Sequence, residues 1–83
     1  MMILVDVQFP ELDRTIDFHL DEDARCWEIA EEIATMAARN CGWQYTSGNN
    51  AFFLYSVDSQ RTLDLNRSLR ENGIRSGDRL LFI

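Results

Sequence analysis

Three residues of the sequence carry side chains that could act as nucleophiles, bases or soft metal ligands: His19, Cys26 and Cys41. A histidine acts as a general base only when a reacting group lies within hydrogen-bond reach, and His19 is predicted to lie on the outer face of a strand. Cys26 falls on an apolar helical stripe, where a thiol is a small core residue. We favour inert packing for Cys41 as well. One histidine and two distant cysteines lack metal-site spacing, so we predict no catalytic residue, no metal and no cofactor.

Charged residues form two groups that could bind ligands. The consecutive acids Asp21, Glu22 and Asp23 lack the spacing of an EF-hand loop. They suit the start of a helix, where carboxylates cap free N–H groups. Four arginines near the C-terminus could form a basic patch, but we favour separate surface positions for them: Arg67, Arg70, Arg75 and Arg79.

Length and charge restrict the class of protein. The chain has 83 residues, the size of one domain, and a net charge of −6 with no lysine. Ten acids and three arginines fall in residues 1–41, whereas residues 42–83 carry four acids and five arginines. Because phosphate binding needs a positive surface, we expect no nucleic-acid partner.

The cysteines and the N-terminus indicate a compartment. On one helix, Cys26 and Cys41 would lie roughly 22 Å apart at 1.5 Å of rise per residue, whereas the Cα atoms of a disulfide lie about 6 Å apart. Free thiols are typical of a reducing compartment. Neither a signal peptide nor an apolar run of membrane-spanning length is recognisable. We therefore expect a cytoplasmic protein with no direct membrane insertion.

Two alternating runs at the N-terminus predict a β-hairpin. Apolar residues occupy the odd positions of Met2 to Phe9, and the even positions of Arg14 to Leu20, which is the period of half-buried strands. The sequence PELD between them is turn material. The odd residues of the first strand are expected to face the core.

The pattern then changes to the period of a helix. Residues 24 to about 40 carry an apolar stripe with acidic residues opposite, and Gly42 ends the helix. The stripe consists of Cys26, Ile29, Ala30, Ile33, Met36 and Ala37. Trp27 lies to one side of it, either as a flank of the core or as a separate contact point.

Three further strands are predicted after the helix: 51–57, 61–65 and a closing strand at 80–83. The segment before the closing strand contains Leu69 and Ile74 as apolar contacts, and Gly73 and Gly77 where the backbone needs a positive φ. The order β-β-α-β-β-β predicts an α+β fold, a β-grasp. Its mixed sheet of four to five strands has the first and last strands parallel at the centre, and the helix packs across one face.

The closing segment SLRENGIRSGDRLLFI resembles that of the ubiquitin-like superfamily. Together with the apolar hairpin and the IAEEIA helix, it most resembles the bacterial ubiquitin-like proteins of the YukD/EsaB type, which belong to type VII (WXG-type) secretion systems. The resemblance covers essentially the whole chain, although the segment CGWQYTSGNN is longer than the family pattern. It implies a non-enzymatic accessory component that docks onto another protein, such as a membrane-embedded secretion subunit.

Two other roles are considered alongside this one. Ubiquitin and the related sulfur carriers act through a flexible tail ending in two glycines, and this sequence stops at Ile83 inside the predicted last strand. A modifier or carrier would therefore have to have lost its tail. The third role is a homodimer-forming structural module unrelated to secretion.

Apolar residues exceed what one sheet face can bury, and this excess predicts a binding surface on the face away from the helix. Strand 51–57 is apolar in both registers, with Phe52 and Leu54 alternating against Phe53, Tyr55 and Val57, so the sequence does not choose between them. In the alternative interpretation, loop 42–50 covers part of this face with Trp43 and Tyr45. The candidate protein-binding residues are Met2, Leu4, Phe53, Tyr55, Leu81 and Ile83.

Overall fold

A computed structural model describes residues 1–41 and 53–83, and the side chains of Glu11, Asn40 and Cys41 lie outside this description. The elements are β1 (Met2–Phe9), β2 (Arg14–Asp21), α1 (Cys26–Cys41), β3 (Leu54–Ser56), β4 (Arg61–Thr62) and β5 (Arg79–Phe82). The strands form one mixed sheet in the order β2-β1-β5-β3-β4. β1 and β5 pair in parallel, and the other pairs are antiparallel. The predicted β-grasp architecture, with the first and last strands paired, is confirmed.

The β1–β2 hairpin follows its predicted alternation. The odd residues of β1 are buried, and Phe18 and Leu20 of β2 are buried with them. A 3-10 turn at Pro10–Leu12 ends at Asp13, whose φ of 50° lies in the left-handed region. Aromatic side chains close this end of the core, because the ring of Phe9 lies 6.3 Å from that of Phe18 and 5.5 Å from that of Phe82.

The helix covers the inner face of the sheet with small and branched side chains. Cys26, Ile29, Ala30, Ile33 and Ala37 are buried as predicted, and Ala34 is buried with them. The prediction for Met36 was wrong, since this side chain is 38% exposed. Ala34 is fully buried between Ile33 and Ala37, so the buried stripe is centred nearer Ala34 than the sequence suggested.

The strands after the helix are shorter than predicted. In the described part of the chain, β3 spans only Leu54–Ser56 and β4 only Arg61–Thr62. Leu63 is buried, and its N–H still donates to the carbonyl of Leu54 in β3 at 2.8 Å. Leu65 packs against the core outside any strand, because its carbonyl accepts the N–H of Trp27 at the start of α1. Leu69 and Ile74 are buried as expected.

The start of the helix is capped differently from the prediction. The N–H groups of Cys26 and Trp27 donate to the carbonyls of Arg67 and Leu65 at 2.9 and 3.0 Å. Main-chain carbonyls thus satisfy donors that carboxylates were expected to cap. The three acids act elsewhere: Asp21 Oδ1 accepts the N–H of Asp23 at 3.0 Å, and the next two pair with an arginine as described below.

The side chain of Asn72 ties the segment after β4 to the helix. Its Nδ2 donates to the carbonyls of Ser68 and Asp64 at 2.8 and 3.0 Å, and it lies 3.5 Å from the sulfur of Cys26. Its Oδ1 accepts the N–H of Asp64 at 2.9 Å. Asn72 is only 6% exposed, so these bonds satisfy backbone groups that water reaches poorly.

Replacing Asn72 with alanine should therefore destabilise the fold strongly. Asn72→Ala leaves the N–H of Asp64 without its acceptor. The carbonyls of Asp64 and Ser68 each lose one donor but keep the backbone N–H groups of Arg67 and residue 72. We expect a loss of about 1–3 kcal/mol in the free energy of unfolding. Chemical denaturation followed by circular dichroism measures it. The exposed Asn66→Ala is the matched control and should stay within about 0.5 kcal/mol of the parent. Equal effects from the two substitutions would contradict this role for Asn72.

Gly73 and Gly77 adopt the predicted positive φ, at 79° and 93°. The turn at Gly77 leads into β5, and its N–H donates to the carbonyl of Leu4 at 2.7 Å. A Cβ at Gly77 would meet nothing within 4 Å. Its glycine is therefore required by backbone conformation and not by space.

Two substitutions at Gly77 test whether its positive φ, and not the space around it, requires glycine. Gly77→Ala should cost about 1–2 kcal/mol through backbone strain alone, whereas Gly77→Asn should cost less, because asparagine tolerates the left-handed region. Thermal denaturation of both variants checks the order. An alanine variant as stable as the parent would show that the turn does not need a positive φ.

Candidate functional site

The candidate site lies on the outer face of the sheet, which is the face away from α1. The register places Leu81 of β5 beside Gln8 of β1 and opposite Tyr55 of β3. One step further along β5 and β3, Ile83 and Phe53 exchange backbone hydrogen bonds at 2.9 and 3.1 Å. Four of the six predicted binding residues therefore meet on two neighbouring strands.

These four residues are here called the outer apolar cluster: Phe53, Tyr55, Leu81 and Ile83. Phe53 is 48% exposed and Ile83 is 59% exposed, while Tyr55 and Leu81 are half-buried between them. The structure thus chooses the register of strand 3 with Leu54 and Ser56 inward and the aromatic residues outward. Ser56 is fully buried, and its hydroxyl accepts the N–H of Ser59 at 3.1 Å.

Met2 and Leu4 do not belong to this cluster, which corrects the prediction of one contiguous patch. Both are exposed on the outer face, but they pair with Asp21 and His19 of β2 at the other end of β1. Leu4 lies about 13 Å along the strand from Gln8, which is level with Leu81. The parallel register of β1 and β5 causes this separation, because β5 begins level with Asp6.

A row of charged side chains separates the two apolar regions. Asp17 of β2 lies directly opposite Asp6 of β1, and Asp6 lies beside Arg79 of β5. Arg79 Nη2 lies 3.6 Å from Asp58 Oδ1, and its backbone N–H donates to Asp58 Oδ2 at 2.8 Å. We call these four residues the charged row: Asp17, Asp6, Arg79 and Asp58. It holds three carboxylates against one guanidinium.

The carboxyl group of Asp17 perturbs the pKa of Asp6, which it faces. The hydrogen bond with the Asp17 side chain, followed by partial desolvation and the charge of Asp17, raises the pKa of Asp6, and the positive charge of Arg79 opposes the rise. Like charges directly opposite each other across two strands are unfavourable. The sequence analysis did not predict this pair, because only the register of the β1–β2 hairpin brings Asp6 and Asp17 together.

Shallow depressions connect the charged row with the outer apolar cluster. One of about 170 Å³ is lined by Asp6, Gln8, Thr15 and Arg79. A second, of about 240 Å³, borders Leu81 and shares Gln8 and Thr15 with the first. The two depressions adjoin at Gln8 and Thr15 and are here called the groove over β1 and β2. Asp6 lines it near one end and Leu81 near the other, and Asp13 and Arg14 also contribute to its lining.

The arginines near the C-terminus, for which separate surface positions were favoured over a basic patch, lie beside different acids. Arg70 pairs with Glu22 at 2.7 Å and Asp23 at 3.0 Å, and Arg67 pairs with Asp64 at 3.4 Å. The backbone N–H of Arg75 donates to Asp78 at 2.9 Å. The interpretation of these arginines as separate surface residues is supported by the different acids that accompany them.

Two of the residues singled out for chemistry, Cys26 and His19, lie apart from the outer apolar cluster. Cys26 is fully buried, and desolvation raises the pKa of its thiol to about 11, so the reactive thiolate is disfavoured. His19 is exposed opposite Leu4. Trp27 is 44% exposed on the helix. Within residues 1–41 and 53–83, no three His, Cys, Asp or Glu side chains are grouped to hold a metal ion.

Two predictions fall outside the described residues. They are the packing of the Cys41 side chain and the position of loop 42–50 with Trp43 and Tyr45. Within the part of the chain that is described, α1 is too short and too polar to cross a membrane.

Known structures share this architecture, although neither a family model nor a curated protein matches the sequence. The EccD5 ubiquitin-like domain from Mycobacterium xenopi is 25% identical with a TM-score of 0.70, and the match covers 100% of this chain and 93% of that domain. The chain has the ubiquitin-like β-grasp fold. The ubiquitin-like domain of the Mycobacterium tuberculosis type VII secretion system protein ECCD1 is also similar, with a TM-score of 0.65, 14% identity, and coverage of 100% of this chain and 98% of that one.

A third similar structure is a chain of the MycP5-free ESX-5 inner membrane complex. It is 24% identical with a TM-score of 0.68, and the match covers 99% of this chain but only 20% of that one. There, the region that matches this β-grasp chain is a small part of a much longer polypeptide.

The facing carboxylates give a prediction about pH. A raised pKa means that folded Asp6 holds its proton more tightly than unfolded Asp6, so this group makes the fold less stable as the pH rises through its folded pKa. Asp17→Asn should lower the pKa of Asp6 and raise the midpoint of thermal denaturation at neutral pH. NMR titration of the Asp6 carboxyl group and thermal scans measure the two effects.

The control is Glu32→Gln, which removes the same charge from the exposed face of α1. It should leave the Asp6 pKa unchanged and should raise the denaturation midpoint less. If both variants raised the denaturation midpoint equally, the change would be due to net charge alone and not to the facing pair of Asp6 and Asp17.

Proposed function

We propose that this chain is a non-enzymatic protein-interaction module that docks onto another protein through the outer apolar cluster. The observation that carries the proposal is the exposure of Phe53 and Ile83 beside Tyr55 and Leu81, on the sheet face that α1 does not cover. Aromatic and aliphatic side chains exposed together on a small folded domain commonly mark a binding surface. Aromatic residues are also enriched among the interface residues that contribute most of the binding free energy.

The chemistry of the remaining side chains supports a binding role over a catalytic one. Catalysis needs a nucleophile, base or metal held in a defined constellation. Here the thiol of Cys26 is buried with a raised pKa, and His19 lies on the strand next to Leu4 at the far end of the face. Of the four side chains in the outer apolar cluster, three are hydrocarbon and offer area for contact, and the phenol of Tyr55 is the one polar group.

The proposed context is a type VII secretion apparatus, in which the chain acts as a cytosolic accessory component. This context is supported by the similarity to the EccD5 and ECCD1 ubiquitin-like domains. The similarity to a chain of an inner membrane complex favours a membrane-embedded subunit as the partner. The YukD/EsaB type is the bacterial class that the closing segment and the helix of this chain resemble.

Site-specific photo-crosslinking in the source organism tests this proposal. With p-benzoylphenylalanine in place of Tyr55, we expect crosslinks to a component of the secretion apparatus, identified by mass spectrometry. The same group at Glu31, on the exposed side of α1, should not form them. Leu81→Asp should reduce the Tyr55 crosslink about tenfold, because it places a charge in the centre of an apolar contact.

Ser59→Asp adds the same charge at an exposed turn. It is the matched control for Leu81→Asp and should leave the yield of the Tyr55 crosslink unchanged. Circular dichroism of the purified variants verifies that both remain folded. A Tyr55 crosslink that survives Leu81→Asp, or that joins only a second copy of this chain, would contradict docking onto a secretion subunit.

A further inference from the structure

We infer that the outer face binds a basic, amphipathic segment of its partner, with an apolar side chain on the outer apolar cluster and an arginine or lysine at Asp6 and Asp17. This inference rests on the proposed function, since it assumes that the cluster is the docking surface. It adds the charge of the partner and the spacing of its contact residues.

The first argument is the imbalance of charge next to the cluster. The charged row contains Asp17, Asp6 and Asp58 with Arg79 as the cation between them. Arg79 is already engaged by Asp58 through both its side chain and its backbone N–H. The cation that favours ionised Asp6 is thus Arg79, and Asp58 engages the same side chain.

The second argument is that this pair is unfavourable in the free protein. Cross-strand carboxylates in direct register repel each other, and the repulsion is relieved when a cation lies between them. A partner's guanidinium or ammonium group would gain from both charges at once. Opposite charges at the rim of an apolar contact set which partner binds and how quickly it associates.

The third argument is geometric, because the groove connects an acidic side chain of the charged row with the outer apolar cluster. Its lining includes Asp6 at one end and Leu81 at the other, with Gln8 and Thr15 shared between the two depressions. From strand spacings, the Cα atoms of Asp6 and Asp17 lie about 8 and 12 Å from that of Leu81. A helical segment spans this distance in about seven residues, and an extended segment spans it in about three.

The same charges disfavour a second copy of this chain as the occupant. Two copies that met through this face would bring two charged rows, each with an excess of carboxylates, into one interface, and each chain carries a net charge of −6. Like charges brought together at an interface oppose association. A positively charged partner segment meets no such penalty.

Neutralising the acidic pair tests the inference without disrupting the fold. The variant Asp6→Asn with Asp17→Asn removes two negative charges and relieves the repulsion between them, so it should fold at least as stably as the parent. Its matched control, Glu31→Gln with Glu32→Gln, removes two charges from the helix face. The probe is p-benzoylphenylalanine at Tyr55, and the readout is the yield of the crosslinked partner.

We expect the Asp6 and Asp17 variant to lower the crosslink yield by about threefold or more, and the helix control to change it by less than that. Tyr55 lies one strand further away than Leu81, so the Cα atoms of Asp6 and Asp17 are about 12 and 16 Å from the attachment point. The crosslinked partner peptide should therefore contain arginine or lysine about four residues from that point if it is extended, or about nine if it is helical. Equal yields from both variants, or a crosslinked peptide without a basic residue, would overturn the inference.

The outcome separates this inference from the proposed function. If Leu81→Asp removes the crosslink and the acidic-pair variant does not, the docking surface stands and the basic partner is wrong. If Leu81→Asp also leaves the crosslink intact, the docking surface itself is wrong.

Discussion

The parallel pairing of β1 with β5 is the constraint on which the rest of the structure depends. It joins the two ends of the chain at the centre of the sheet, with Val7 beside Leu80, both fully buried. Parallel neighbours need a long connection, so the intervening chain must cross the sheet, and α1 covers one face on the way. The other face is left without a covering helix in the described structure. Its accessibility is thus a consequence of the topology.

The register of this pair also decides which outward residues become neighbours. Because β5 begins level with Asp6, Leu81 lies beside Gln8 and joins Tyr55, while Leu4 is left at the other end of the face. Arg79 falls next to Asp6 for the same reason. An apolar cluster bordered by acids therefore arises from one register, and the proposed specificity for a basic partner depends on it.

A buried polar network holds the second half of the chain against the helix. Asn72 uses both of its polar atoms on backbone groups of Asp64 and Ser68, and the carbonyls of Leu65 and Arg67 cap the helix. Asn72 thus stabilises the loop that supplies the cap. The acids before the helix remain available for Arg70, which links the same loop to the end of β2.

The sequence alone determined the class of fold and most of the core. Alternation in β1 and β2, the helical stripe and the two glycines depend on local periodicity and local backbone conformation, and the structure agrees with them except at Met36 and at the ends of β3 and β4. The outward direction of Leu81 and Ile83 followed from the same reasoning.

Only the tertiary structure decided the strand 3 register, the division of the predicted patch and the facing pair of Asp6 and Asp17. Strand 3 is apolar in both registers, so hydrophobicity by itself does not decide that Leu54 and Ser56 face inward while Phe53 and Tyr55 face outward. Those features depend on which residues of distant strands are paired, and pairing between strands is set by packing of the whole sheet and not by any one segment.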